Sequence, residues 1–325
     1  VKILFLNRLD RYWEGKIEEL ARAFPEHSFI SYSSSSDPKG HISDAEVIVK
    51  GNLSQADLDK ARNLRMVVVP WTGVDGLPLE RLRERGIIVS NTHENAKVVA
   101  ERAVALALAV TGRVVELHND LAQGVWLGRP SNKESTWYSI IGKQCSILGL
   151  GNIGQAIAKL ISGFECEITG FKRTPDSGLP YVKRITDDIH DAVQAGDLVF
   201  VALPLTKKTA GIIGSGLLSQ MKGKYLVNVS RGRVIEEEAL YDALKSGTLA
   251  GAAIDVWYDY PSNDRPATLP SRFPIHRFSN VVMSPHVGSW SVESMQSMVD
   301  GTIKNIEGFL RNGRPEEYVD LNEMY

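Results

Sequence analysis

Cysteine is scarce: Cys145 and Cys166 are the only two among 325 residues. That excludes a disulfide-stapled secreted scaffold, and two thiols in apolar, strand-like runs read as buried and reduced, with a disulfide between them the lesser alternative. An excess of one charge is also missing, since 37 Lys+Arg face 39 Asp+Glu for a formal net charge of −2. Nucleic-acid and membrane-surface binding draw on a basic excess, so neither partner is expected. Long apolar runs are absent as well. The stretch 103–110 is bounded by Arg102 and Arg113, well short of the roughly 20 residues that cross a bilayer. The apolar start from Val1 to Leu6 breaks at Asn7-Arg8 and is too brief for a signal peptide. No solenoid repeat is visible and no metal ligands are assigned. These absences point to a cytoplasmic globular protein, and the length points to two domains.

What is present is alternation. Strand candidates at 1–6, 29–32, 47–49, 66–69 and 87–90 are separated by helical patterns at 14–24, 55–61 and 79–85. The serine-rich 33–40 stretch reads as a surface turn. A long helix is predicted over 96–121, apolar on more than one face and so expected to pack on its own domain and on another subunit. A polar break at 127–136 follows. A second series then begins, with strands at 144–148, 167–171, 198–202, 225–229, 251–256 and 281–284 and helices at 155–161, 187–195, 215–221, 236–246 and 292–310. Strands alternating with helices make parallel sheets covered on both faces. The expected fold class is α/β, with two doubly wound, Rossmann-like domains and an active site in the cleft between them. The expected division is 1–94 plus 290–325 for a flavodoxin-like substrate domain, and 95–289 for a nucleotide-binding domain.

The strand ending at Leu148 runs straight into Gly149-Leu150-Gly151-Asn152-Ile153-Gly154, and a helix opens behind it. A lone GxGxxG is a weak signal, but strand, loop and helix together are the context a dinucleotide requires. Gly149 permits the tight turn, Gly151 lets backbone approach a pyrophosphate, and Gly154 lets the helix pack close to the strand. Asn152 and Ile153 supply N–H groups at the helix start. An NAD site usually places Asp or Glu about 20 residues on, at the end of the next strand. Here that strand ends in Lys172-Arg173-Thr174. Two cations and a hydroxyl suit a 2′-phosphate, so NADP(H) is the preferred cofactor, with NAD(H) the alternative.

Several further segments stand in a telling order: Leu203-Pro204-Leu205-Thr206, Val227 to Gly232, Ala253-Ile254-Asp255-Val256-Trp257, Ser284-Pro285-His286, Gly73-Val74-Asp75 and Val99-Ala100-Glu101. With the glycine loop, they resemble the D-2-hydroxyacid dehydrogenase family, which includes glyoxylate/hydroxypyruvate reductases, over nearly the whole chain. The resemblance implies hydride transfer between NAD(P)H and a small 2-keto acid such as glyoxylate or hydroxypyruvate. Reduction of such an acid needs a cation for the carboxylate and a proton donor for the forming alkoxide. Arg231 suits the first role, by bidentate contact, and His286 the second. The resemblance further implies that Asp255 bonds the nicotinamide carboxamide, and that backbone around Trp71-Thr72-Gly73-Val74 receives the substrate carboxylate. It places Asn95 near nicotinamide and substrate, and Leu203, Pro204, Thr206, Thr209 and Val229 along the cofactor.

One departure matters. The family usually has a Glu before a Pro after Asp255-Val256-Trp257, paired with the catalytic His; this chain reads Tyr258-Asp259-Tyr260-Pro261. Retained spacing puts Tyr260 beside His286, whereas a one-residue bulge puts Asp259 there. The first is favoured, because Pro261 keeps the spacing, and it predicts a lower His286 pKa than in Glu-bearing relatives. Trp71, His93, Glu94, Trp290 and Tyr260 are expected to shape the pocket, and Glu94 to disfavour large acidic substrates. Homodimerisation through the long helix and residues 127–138 is implied by the likeness. Two rivals share the framework: a formate- or phosphite-type dehydrogenase, and a non-catalytic nucleotide-sensing corepressor.

Overall fold

A computed structural model describes residues 1–126, 136–174 and 178–323. The chain divides into two compact units, Val1–Asn95 with Trp290–Tyr325, and Ala96–Ser289. The first opens with β1 (Lys2–Phe5), α1 (Arg11–Ala23), β2 (Ser28–Ile30), β3 (Val47–Val49), α2 (Gln55–Lys60), β4 (Met66–Val68), α3 (Leu79–Glu84) and β5 (Ile88–Ser90). All pairings are parallel, in the order β2-β1-β3-β4-β5. β3 and β4 are buried at every residue, as strands covered on both faces must be. Asp10 and Ser54 cap their helices by accepting the Trp13 and Asp57 N–H groups at 2.9 and 3.1 Å, which satisfies donors the first turn leaves bare. The 33–40 turn runs on into a 3₁₀ segment, Pro38–Asp44, because Pro38 and Ile42 find burial.

The second unit contains α4 (Ala96–Thr111), α5 (Val114–Ala122), β6 (Gln144–Leu148), α6 (Asn152–Ile161), β7 (Glu167–Phe171), β8 (Arg184–Thr186), α7 (Ile189–Ala195), β9 (Leu198–Val201), α8 (Ser215–Leu218), β10 (Lys224–Asn228), α9 (Glu237–Lys245), β11 (Leu249–Ile254) and β12 (Val281–Met283). Among the described residues its sheet has seven parallel strands, β12-β11-β10-β9-β6-β7-β8. The order reverses beside β6, the place where such folds receive a ligand at the strands' carboxyl ends. The helix predicted over 96–121 is two helices. Arg113 takes a left-handed φ of 52°, which ends α4, and its guanidinium then grips Glu116 at 2.7 and 2.8 Å in the first turn of α5. α4 packs Ala100, Ala103 and Ala107 without exposure inside its own unit, whereas α5 buries no residue. β8 was not predicted; it is a short edge strand with no fully buried residue.

α10 (Val292–Asn312) returns to the first unit, capped by Ser291 and ended by Gly313 at φ 72°. It packs on α1 and β4, placing Val299, Ile303, Ile306 and Phe309 in a core with Ile3, Phe5 and Trp13. No described helix is long and apolar enough to cross a membrane.

Candidate active site

In a parallel sheet every carboxyl end lies along one edge, so the loops after β6, β7, β9, β10, β11 and β12 share one rim of the second unit. β6 enters the glycine loop through Gly149 at φ +101°, where a Cβ would sit 2.7 Å from the Ala202 carbonyl oxygen. Gly154 is equally constrained, since a Cβ there would land on the Gly149 carbonyl. Together they seat α6 against the turn. Gly151 differs, with no protein atom within 4 Å of the Cβ position. It is the N-cap of α6 and, being glycine, brings no side chain to cap that helix. A helix start whose cap carries no side chain, with open space at the Gly151 position, fits a pyrophosphate by charge and by clearance.

Lys172, Arg173 and Thr174 follow β7, the neighbour of β6; Lys172 is half-buried and the other two are exposed. Beyond β9, Leu203 is buried and Pro204 exposed. The Thr209 hydroxyl donates to the Pro204 carbonyl at 2.6 Å and accepts the Thr206 N–H at 2.8 Å, which closes that turn. Beyond β10, Val229 and Ser230 are buried and Arg231 is half-buried. Asn228 holds the turn, its Oδ1 accepting the Ser230 N–H and hydroxyl and its Nδ2 donating to the Arg231 carbonyl. Arg231 Nη1 donates to the Ser230 carbonyl at 2.9 Å.

The loops after β11 and β12 are knitted together. Asp255, only 2 % exposed, accepts the Ser284 hydroxyl at 2.5 Å and the Val287 N–H at 3.1 Å on one oxygen, and the Gly288 N–H at 2.9 Å on the other. The Trp257 indole N–H donates to the Ser284 carbonyl at 2.8 Å. His286 stands within this loop at φ 58°. The Tyr260 ring lies 5.5 Å from the His286 ring, tilted by 52°, and its hydroxyl accepts the Trp257 N–H at 2.9 Å. Asp259 instead faces Arg265 at 3.8 Å. Tyr260, not Asp259, is the residue against the imidazole.

In the first unit, the Trp71 ring covers Gly51 so closely that a Cβ could not fit. The Thr72 hydroxyl lies 2.7 Å from Asn95 Oδ1 and 3.0 Å from the Thr92 carbonyl, and Asn91 Nδ2 donates to the Thr72 carbonyl at 2.7 Å. Thr72 and the buried Asn95 thus brace one turn, with Gly73 and Val74 next in it. Glu94 behaves otherwise than expected. Its carboxylate faces Lys304 at 3.6 Å and His93 faces Glu317 at 3.0 Å, and Glu94 lines a 280 Å³ cavity along α10 with Lys304 and Arg311. A carboxylate matched by a lysine exerts little repulsion, so the expectation that Glu94 disfavours acidic substrates loses its basis.

Residues 104–288 match the D-isomer specific 2-hydroxyacid dehydrogenase, NAD binding domain. The chain belongs to the D-isomer-specific 2-hydroxyacid dehydrogenase family. It is 34% identical over 268 residues to a glyoxylate reductase of Thermofilum pendens, covering 81% of this chain and 77% of the relative. To glyoxylate/hydroxypyruvate reductase A of Arabidopsis thaliana it is 31% identical over 316 residues, covering 94% and 95%. Among solved structures, the NADPH-dependent glyoxylate/hydroxypyruvate reductase of Sinorhizobium meliloti superimposes with a TM-score of 0.78 at 26% identity, covering 98% of each chain. This member of the family is accordingly an oxidoreductase that acts on CH–OH donors and binds a nicotinamide cofactor.

Three features of this dehydrogenase escaped the sequence reading. The Ser284 hydroxyl and Trp257 indole tie the His286 loop to β11, and His286 itself is left-handed. The residues were in view in Ser284-Pro285-His286 and Asp255-Val256-Trp257, but cross-links between segments about 30 residues apart leave no local pattern.

Proposed function

We propose that the protein reduces a small 2-keto acid, such as glyoxylate or hydroxypyruvate, with NADPH as the preferred donor. The observation that carries this reading is the shared rim of the second sheet. There the uncapped start of α6, Arg231 and the His286–Tyr260 pair all follow carboxyl ends of parallel strands. Bound cofactor supplies the hydride. Arg231 holds the substrate carboxylate and polarises the keto oxygen, and His286 donates the proton that the forming alkoxide takes up. Tyr260 keeps the imidazole in place through ring contact. In the first unit, the substrate domain of this proposal, backbone of Trp71-Thr72-Gly73-Val74 receives the carboxylate, and Asn95 fixes that turn through Thr72. Gly149, Gly151, Asn152, Ile153 and Gly154 seat the pyrophosphate, while Leu203, Pro204, Thr209 and Val229 flank the rest of the cofactor. Lys172, Arg173 and Thr174 take the 2′-phosphate, a choice supported by two cations at the end of β7.

A homodimer is part of the proposal. Leu108, Val114, Val115 and Leu121 on α4 and α5, with Trp126 and Trp137, are 39 to 72% exposed, and apolar surface of this kind marks a protein–protein contact where it is contiguous. Most of the 127–138 segment assigned to the same contact lies outside the described residues. A cytoplasmic setting agrees with two free thiols, Cys145 and Cys166, whose hydrogen bond to each other, with burial, pushes the Cys145 thiol up.

The test is a spectrophotometric panel of small 2-keto acids with NADH and NADPH in parallel, with formate and phosphite oxidation run beside it. Turnover of glyoxylate or hydroxypyruvate, faster with NADPH, is the expected result. Oxidation of formate or phosphite alone moves the chain to the rival dehydrogenase class, and binding of nucleotide without any turnover moves it to a sensor.

A further inference from the structure

We propose that Asp255 is a positioning residue for His286, holding the imidazole by clamping the loop on either side of it. The inference rests on the reductase reading for its consequence in turnover, but the clamp itself is geometry. His286 occupies φ 58°, a left-handed backbone that is uncommon for any residue with a Cβ and is held in place by its surroundings. The enforcing contacts are explicit. Asp255 receives the Ser284 hydroxyl two residues before His286, and the Val287 and Gly288 N–H groups immediately after it. Three donors from one five-residue loop converge on one carboxylate that is almost wholly buried. The Gly288 position shows how tightly the clamp is drawn, since a Cβ there would lie 2.8 Å from Asp255 Oδ2. The Trp257 indole adds a fourth contact, to the Ser284 carbonyl.

Family resemblance gives Asp255 a contact with the nicotinamide carboxamide. Three protein donors fill three of the roughly four lone-pair sites of the carboxylate, leaving about one for that carboxamide. The residue therefore acts principally on the His286 loop. The loop, released, loses the contacts that hold His286 in this uncommon backbone, and a proton donor displaced by about 1 Å loses on the order of 100-fold in rate.

A double-mutant cycle separates this role from direct contact with cofactor. Asp255→Asn should lower kcat about 100-fold and leave the Kd for NADPH and the KM for the keto acid within about three-fold. His286→Asn keeps a side chain that tolerates left-handed backbone; in that background Asp255→Asn should cost less than about two-fold, because the group it positions is gone. A loss of the same size in both backgrounds, or a NADPH Kd raised tenfold or more with kcat intact, overturns the proposal. Ser284→Ala removes one donor without stranding a buried charge, and it carries the same cycle if Asp255→Asn fails to fold. Amide hydrogen exchange over residues 284–288 reads the clamp without turnover. Protection there should fall at least about tenfold in Asp255→Asn or Ser284→Ala, and unchanged protection overturns the clamp whatever the substrate is. Absence of keto-acid turnover by the wild type, with protection lost in the variants, counts against the reductase reading alone.

Discussion

The β6–β7 and β11–β12 regions of the second sheet hold the loops at their carboxyl ends by opposite means. At β6–β7 the loop works by what is missing: no Cβ at Gly149 or Gly154, so that helix and strand meet, and open space before Gly151. At β11–β12 the loop works by what is added: a buried carboxylate, an indole and a phenol surround a histidine in left-handed backbone. Backbone that must lie close to a pyrophosphate is best served by small residues, whereas a proton donor must be held in one orientation and needs neighbours. The contrast predicts that the first end fails by steric intrusion and the second by loss of partners.

The largest effect is expected from Gly149→Ala. The φ of +101° is outside the range of an L side chain, and the new methyl would meet the Ala202 carbonyl at 2.7 Å. Strain of about 1–3 kcal/mol, joined to displacement of the α6 start, should lower the melting temperature by several degrees and weaken NADPH binding by about 100-fold or more. Thermal unfolding with and without NADPH measures both. Gly151→Ala is the contrast: with nothing of the protein within 4 Å, it should leave apo stability nearly unchanged and weaken only cofactor binding. Equal losses of apo stability in the two variants would break the distinction between turn glycine and ligand-facing glycine.

The turn glycine, Gly149, was legible in the sequence for a physical reason. Glycine at a position needing left-handed backbone, directly between an apolar strand and a helix, is a local requirement, and local requirements appear as local patterns. That both sheets are parallel was legible from alternation alone. Other elements were not. β8 presents a polar edge, and the break between α4 and α5 depends on Arg113 turning left-handed to meet Glu116, which a helical periodicity does not register. Glu94 was placed by its neighbours in sequence, yet its charge is answered by Lys304 from α10, some 200 residues away. Asp255 was noticed as a strand-end carboxylate; its three donors come from a loop that only the pairing of β11 with β12 brings alongside.

A middle-sized effect is expected at Lys172 and Arg173. Replacing both with Ala removes the cations assigned to the 2′-phosphate, and the ratio of kcat/KM for NADPH over NADH should fall about tenfold, or about 1.4 kcal/mol. Activity with NADH should stay within about two-fold. Parallel loss with both cofactors would mean that the pair supports the fold of this end and takes no part in choosing the cofactor.

Tyr260→Glu tests the other end. A carboxylate against the imidazole favours its charged form, so the pH above which keto-acid reduction declines should move upward by about one unit. The pH profile of kcat/KM measures it. Tyr260→Phe keeps the ring contact and drops only the hydroxyl that accepts from Trp257, and should reduce kcat only a few-fold. No upward movement in the Glu variant would show that the side chain at 260 does not address the imidazole.

The smallest effect belongs to a pair outside both ends, Arg113–Glu116, which joins α4 to α5. The Arg113 hydrogen bond holds the Glu116 carboxyl below its ordinary value. A carboxyl depressed in the folded state contributes stability that is complete above its unfolded value of about 4.5 and is lost as pH falls through the folded value. Both side chains retain only about a fifth of their exposure, but the pair is local and within reach of salt, so Glu116→Gln should cost about 0.5–1 kcal/mol at pH 7. The difference from wild type should shrink toward zero as the pH falls through the folded value, and kcat should be unchanged throughout. A cost that persists in acid would assign the stabilisation to packing of α5, not to charge; a change in kcat would mean that the α4–α5 corner communicates with the rim where the chemistry is placed.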